Sequence, residues 1–249
     1  VGLMPSLGVN EPPSNGRYRW MIEDAKPQFG ILEHDAGLVM CAARRADNDQ
    51  LYWRITQFMM PNHSMAPNSF PGDNHVGNTW VPIDDHSCWI FCYAYNPERP
   101  LSEAERDAYA KGFGIFAEVD EDFVPIRRRE NDYLIDRAAQ QATNFTGITG
   151  ISEQDAAIAD SQGLIADRTR ELLGQTDLGL VSFRRLMFDA IDRLEKGMKP
   201  RGVDNPEAYR VRSGDAMSEP GAKGLEVASD RFGILAGRSL RNMSTQAAD

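Results

Sequence analysis

Polar and apolar positions change period about midway along this chain. Up to residue 95 the apolar residues come in short alternating or aromatic-rich runs, which is the pattern of strands; beyond residue 100 they recur at helical spacing. The early runs predict strands over Arg17 to Glu23, Phe29 to His34, Leu38 to Arg44, Leu51 to Met60, Asn78 to Ile83 and Ser87 to Tyr95. Asp35-Ala36-Gly37 and Asp84-Asp85 read as the turns within two of the pairs. In LYWRITQFMM, alternation sends Tyr52, Arg54, Thr56 and Phe58 to one face and Trp53, Ile55, Gln57 and Met59 to the other, with Pro61 as the stop. Neither face is purely apolar. Residues 1 to 16 and 61 to 76 are rich in proline, glycine and asparagine and read as loops. Several short strands in succession indicate an antiparallel meander.

The later runs predict helices. Ser102 and Glu105 stand at capping-box spacing ahead of a helix that ends near Lys111, with Gly112 and Gly114 as breakers. Gly147 to Asp155 reads as a glycine-punctuated turn entering a second helix, in which Ser152-Glu153-Gln154-Asp155 has the spacing of another capping box. Thr176 is placed to cap a long helix whose Leu178, Val181, Arg185, Leu186, Phe188, Ile191 and Leu194 form a stripe for core packing, stopped at Gly197. Beyond Pro200 the residues are mostly polar, charged or glycine, the composition of a surface-wrapping or partly disordered tail. Strands followed by helices give the α+β class, with one sheet curled round a long helix and room between them for an apolar ligand. The expected division is a domain over residues 1–200 and a C-terminal tail over 201–249.

Composition narrows the function. The 249 residues, 41% hydrophobic, suffice for a buried core, and the net charge of -10 with pI near 5.0 argues against a nucleic-acid or anionic-membrane partner. Three cysteines, Cys41, Cys88 and Cys92, fit a reducing cytoplasm better than a disulfide framework, and the sequon at Asn144 is then idle. No apolar run reaches the length of a membrane span. The turn-rich opening without methionine reads as a piece of a longer chain.

The residues by themselves leave the chemistry open. Phosphate-binding glycine loops and the serine-hydrolase elbow are missing from the sequence. Cys88 and Cys92 share a strand face but have no second ligand pair, so buried structural thiols are favoured over zinc. His34, His63, His75 and His86 are scattered over turns and loops without helical i, i+4 pairing. Arg127-Arg128-Arg129 reads as a salt-bridged turn rather than an anion site. Arg54, set among aromatics, is either a partner for a ligand carboxylate or a paired structural arginine, the second being favoured. Asp155 reads as a capping residue before it reads as a metal ligand, while Glu153, Asp160 and Asp167 look like a solvated helix face.

Three segments in order, YWRITQFMMP, WVPIDDHS and NDYLIDRAAQQATNFTGITGISEQDAAIADSQGLIADRTRELLG, resemble the catalytic domain of Rieske-type aromatic-ring-hydroxylating oxygenases, in the phthalate 4,5-dioxygenase branch. The resemblance runs from about residue 17 to 200. It implies a helix-grip (START/Bet v1-like) fold with an antiparallel sheet wrapped over a long C-terminal helix, and a mononuclear Fe(II) held by two histidines and one aspartate. It assigns the carboxylate ligand to Asp155, and a backbone-organising role near the site to Asn131, Asp132 and Asp136. It also implies dioxygen and an aromatic substrate, an aromatic carboxylate that Arg54 would bind, a reductase or ferredoxin electron donor, and a homotrimer or a multiple of one.

This chain departs from the family pattern in two respects. It has neither the closely spaced histidine pair nor the Cys-x-His and Cys-x-x-His motifs of the [2Fe–2S] domain, all of which would lie upstream of Val1. The expectation is a cytoplasmic oxygenase fragment with an incomplete iron site, inactive alone. The alternatives are a metal-free helix-grip module for a hydrophobic ligand, or a degenerate, non-catalytic oxygenase homologue.

Overall fold

The computed structural model describes residues 16–67, 72–142 and 144–232. The entry loop expected at the N-terminus and the last seventeen residues of the expected tail lie outside the described residues. The chain divides into two compact units, one of Val1–Ala25 with Thr79–Leu172, the other of Lys26–Asn78 with Leu173–Asp249.

The second unit carries the core of the sheet. Strands β1 (Gln28–His34), β2 (Gly37–Arg45) and β3 (Leu51–Met59) form an antiparallel ladder, joined by the turn at Asp35 and by a short 3-10 turn at Asp47–Asp49. The loop expected over 61 to 76 is interrupted by β4 (His63–Ala66), and β5 (His75–Pro82) starts three residues earlier than expected. Turn residues masked β4, whose four residues are too few to show a period, although His63 and Met65 pair with Met59 and Gln57. The hydrogen-bonded order is β1-β2-β3-β4-β5-β6, with β7 (Gly214–Ser218) also antiparallel to β3 and β6 (Cys88–Tyr95) in the first unit. Strands β4 and β7 therefore share one edge of β3, pairing with opposite ends of it.

Alternation along β2 and β3 decides what packs where. Val39, Cys41, Ala43, Trp53 and Ile55 are buried on one face against Ala216 of β7 and Val227, Ala228 and Phe232 of α6 (Gly224–Phe232). Leu38 on the opposite face packs with Leu186 and Ala190 of α5 (Leu178–Glu195), where the Phe58 and Phe183 rings meet edge to face at 4.8 Å. The sheet thus grips α5 on one side, which is the helix-grip arrangement, and the class is α+β. Each fully buried aliphatic side chain of these two layers contributes about 1.5–3 kcal/mol.

Three readings of the second unit need correction. Of the stripe expected to pack along α5, only Leu186 is buried; Leu178, Val181, Phe188, Ile191 and Leu194 are exposed. The helix instead turns Gly179, Phe183, Leu186 and Ala190 inward, a face whose small residues allow close approach to the sheet. Thr176 does not cap it either, since the N-cap is Asp177, without a side-chain cap bond. Part of the polar stretch after Pro200 is also not a tail: β7 and α6 bury Ala216, Val227 and Ala228 in the core.

In the first unit, Gly16–Glu23 forms helix α1 rather than the expected strand. Its alternating run is too short to tell the two periods apart, and Arg19 Nε reaches Glu23 at 3.5 Å across one helical turn. Helix α2 (Glu103–Ala110) has the expected capping box, with Ser102 Oγ accepting from Glu105 N at 3.2 Å. A 3-10 turn over Arg129–Leu134, α3 (Arg137–Ala142) and α4 (Ile151–Ser161) complete the unit. Among the described residues no helix is long and apolar enough to cross a membrane.

Candidate functional site

The first turn of α4 is built by Glu153. The N-cap is Gly150, at φ +91 and without a side-chain cap bond, so Ser152 lies inside the helix and the expected Ser152–Asp155 capping box does not form. Two residues of offset change every role. Glu153, read as part of a solvated face, is 2% exposed: its Oε1 accepts the Glu118 amide at 3.1 Å and lies 3.9 Å from Arg127 Nη1. Arg127 in turn holds Glu118 Oε2 at 2.9 Å. Two glycines make room for this carboxylate. A Cβ on Gly150 would stand 2.0 Å from Glu153 Oε2, and one on Gly112 would stand 2.9 Å from Oε1. Burial raises the Glu153 carboxyl above its ordinary range, partly offset by the Glu118 amide and the Arg127 charge.

Gln154 is also buried and donates from Nε2 to Ile148 O at 3.1 Å, stitching the glycine turn to the helix. Asp155 follows as an exposed residue. Among the described residues its carboxylate has no hydrogen-bond or ion-pair partner, and partial desolvation raises it above the usual carboxylate range. The result is an anchored helix start that presents one uncommitted carboxylate. The signal for Glu153 lay in the sequence: a glutamate three residues after a glycine occupies the N3 position if the glycine is taken as the cap.

The NDYLIDR segment organises backbone. Asn131 accepts from Arg128 N at 3.0 Å and donates to Ile126 O at 2.8 Å, while Asp136 Oδ1 accepts the Ala138 and Ala139 amides, each at 2.9 Å, at the start of α3. Arg128 reaches Glu130 at 3.6 Å and Arg129 donates to the Asp160 carbonyl, so all three arginines of this turn are engaged within the protein. Asp160 also accepts from the Tyr133 hydroxyl through Oδ2.

Among the described residues the cysteines and histidines do not gather into a metal-binding group. Cys41 is buried, but Cys88 is exposed and Cys92 only half-buried, donating to Ile115 O at 3.2 Å, so the reading of Cys88 and Cys92 as buried thiols does not hold. The strand β6 that carries them exposes its first four residues, which alternation alone could not reveal. His34 pairs with the buried Gln57 at 3.3 Å, and His63 and His75 sit on strands rather than in a loop. Among the described residues no three His, Cys, Asp or Glu side chains group to hold a metal. A facial triad needs two imidazoles beside its carboxylate, so the residues described here fit one ligand of a mononuclear iron and not the whole site.

In the other unit, Arg54 lies on the α5 side of β3. Its Nη2 donates to Pro67 O at 3.3 Å, and Ser213 Oγ donates to Ala66 O at 2.8 Å. Both bonds fall where β4 ends and β7 begins along the shared edge of β3. Asp215 is directly opposite Arg54 in the ladder and buried, which places an acid and a base on one face.

Comparison with known proteins bears on this geometry. Residues 17–218 match the family described as LigXa C-terminal domain like. Over 186 residues the chain is 35% identical to the phthalate 4,5-dioxygenase oxygenase subunit of Pseudomonas putida, covering 72% of this chain and 41% of that protein. Over 216 residues it is 30% identical to the 3-chlorobenzoate-3,4-dioxygenase oxygenase subunit of Comamonas testosteroni, covering 82% of this chain and 50% of that one. The chain thus spans about half the length of the curated relatives it matches. The resemblance to the catalytic domain of Rieske-type ring-hydroxylating oxygenases stands, and the chain belongs to the LigXa C-terminal domain-like family.

Proposed function

We propose that this chain is the catalytic portion of a ring-hydroxylating oxygenase large subunit, in which Asp155 is the carboxylate ligand of a mononuclear Fe(II). The observation that carries the reading is local. In a chain of this family, the first turn of α4 is anchored by Glu153 and Gln154 and leaves Asp155 partly desolvated and, among the described residues, without a partner, the state in which a carboxylate is available to a cation. Iron, when bound, would supply the centre at which dioxygen is reduced against an aromatic ring or a methyl ether. The protein's share is to hold one anionic ligand in place while leaving other positions open.

The rest follows from the family reading. The two histidine ligands and the [2Fe–2S] cluster belong to parts of the polypeptide other than these residues, and a reductase or ferredoxin feeds the cluster. The working protein is a cytoplasmic homotrimer or a multiple of one, and the substrate is an aromatic carboxylate, as the names of both relatives suggest. Arg54 remains the candidate partner for that carboxylate, with at least one donor also serving Pro67. The 249-residue chain alone does not bind Fe(II) tightly or turn over substrate.

Iron binding by the full-length gene product, measured by chelator competition, tests this. Asp155→Ala lowers Fe(II) affinity by about tenfold or more, as loss of a direct ligand should. Unchanged affinity in that variant, or stoichiometric Fe(II) binding with hydroxylation by the 249-residue chain alone, overturns the reading.

A further inference from the structure

A strained turn grips the far end of the helix that carries Asp155. Asp132, Tyr133 and Leu134 have φ values of +50, +53 and +49, three consecutive non-glycine residues in the left-handed region, where side chains are disfavoured. Such a turn persists only where its surroundings over-determine it. Here Asn131 ties it to Ile126 and Arg128, Tyr133 N donates to Arg128 O at 3.0 Å, Ile135 N to Asp132 O at 3.2 Å, and Asp136 N to Gly147 O at 2.9 Å. From this turn two side chains reach one residue of α4. The Tyr133 hydroxyl donates to Asp160 Oδ2, and Arg129 donates to the Asp160 backbone carbonyl.

Asp160 is the penultimate residue of α4, five residues and about 7.5 Å of axial rise beyond Asp155. The first turn of the same helix is pinned by Glu153 on the Glu118 amide. A helix held at one point can pivot about it, whereas a helix held at both ends has a defined axis. Burial, and then the bond to Asp160, push the Tyr133 phenol up to about 12, so it stays a donor through the neutral range.

We propose that Tyr133 is a positioning residue for Asp155: by tying the left-handed turn to Asp160 it fixes the axis of α4, and with it the direction in which the Asp155 carboxylate points. The proposal rests on the reading of Asp155 as the iron ligand. It gives the strain at Asp132–Leu134 a use, since a turn held in one conformation passes its position to the helix through directed polar links at Asp160.

The test is a double-mutant cycle in the full-length gene product, with Tyr133→Phe, Asp160→Ala and both together, and Asp155→Ala as the reference. Tyr133→Phe keeps the ring and removes only the bond. Each single variant lowers Fe(II) affinity by about tenfold, as changes behind a metal ligand commonly do, and the double variant is no weaker than either single. The electron paramagnetic resonance signal of the nitric oxide adduct of the bound iron changes shape in all three, a response to ligand geometry that a purely stabilising contact would not produce. Circular dichroism of the apo-proteins shows unaltered helix content. Unchanged affinity and signal in both singles, with Asp155→Ala still losing iron, would overturn the positioning role and leave the ligand assignment intact. Asp155→Ala retaining iron removes the ligand assignment, and this proposal with it. Additive losses in the double variant also overturn the proposal, because they separate Tyr133 from Asp160.

Discussion

The β2–β3 ladder and the first turn of α4 are both buried, and opposite chemistry holds them. Around Ile55 the neighbours are Val39, Cys41, Trp53 and Ala216, so stability there comes from apolar area and close packing. Around Glu153 the partners are a backbone amide, a guanidinium and two glycines without side chains, so stability comes from directed hydrogen bonds in a space sized for a carboxylate. The first kind of region accepts substitutions of similar volume and shape. The second accepts only those that keep an acceptor in the same place, which suits it to holding a neighbouring residue in one direction.

The largest effect expected is in the ladder. Ile55→Ala lowers unfolding free energy by about 4 kcal/mol and Ile55→Val by about 1 kcal/mol, measured from urea unfolding. A loss under about 1 kcal/mol for the alanine variant would show that this core collapses around the void and is less rigid than its burial implies. Next comes Glu153. Glu153→Leu, similar in size but without an acceptor, costs about 3 kcal/mol because the Glu118 amide loses its acceptor and Arg127 keeps only Glu118 of its two carboxylates. Glu153→Gln, which can still accept from Glu118, costs about 1 kcal/mol. If leucine proves milder than glutamine, the contrast between the two regions fails.

How much of this was legible divides along the same line. β1, β2, β3 and β6 and the α2 capping box could be read because period and propensity act locally, and LYWRITQFMM presents the two faces its alternation predicted. What was missed depended on partners distant in the chain. The run at Arg17 to Glu23 carries aromatic residues but finds no strand to pair with, α5 holds two apolar stripes of which the sheet chooses one, and Glu153 is buried by an amide thirty-five residues away. Asp155 carries no local signature at all. Its assignment rests on the order of three motifs, and among the described residues no hydrogen-bond or ion-pair partner takes its carboxylate.

Arg54 offers a medium-sized test of where polar support ends and binding begins. Arg54→Met retains the aliphatic stem and costs about 2 kcal/mol if the guanidinium mainly serves the Pro67 carbonyl beside Asp215. If Arg54 instead meets a substrate carboxylate, the full-length gene product shows a raised KM for carboxylated substrates with near-normal urea stability. On α5, the two stripes separate cleanly. Leu186→Ala costs about 3 kcal/mol, whereas Phe188→Ser, at a position 69% exposed, stays within about 0.5 kcal/mol. A large loss at Phe188 would mean that a surface exposed in this chain is covered in solution.

The smallest effect leaves stability untouched and compares thiols across the two units. Burial pushes the Cys41 thiol up to about 12, and its Sγ donates to Gly224 O at 3.4 Å, whereas Cys88 is exposed and its thiol is raised less. The thiolate is the reactive form, so at pH 8 burial holds Cys41 as the unreactive thiol, behind a closed core. Ellman's reagent therefore labels Cys88 first, Cys92 more slowly, and Cys41 only after urea. The sign of the pH dependence follows from the same burial. Because the folded pKa lies above the unfolded value of 9.0, the contribution of Cys41 is complete below pH 9 and declines as pH rises toward 12, and Cys41→Ala flattens that decline. Labelling of Cys41 in the native chain as fast as Cys88 would mean that the apolar ladder opens as readily as an exposed edge strand, and that directed hydrogen bonds rather than packing make the more rigid of the two regions.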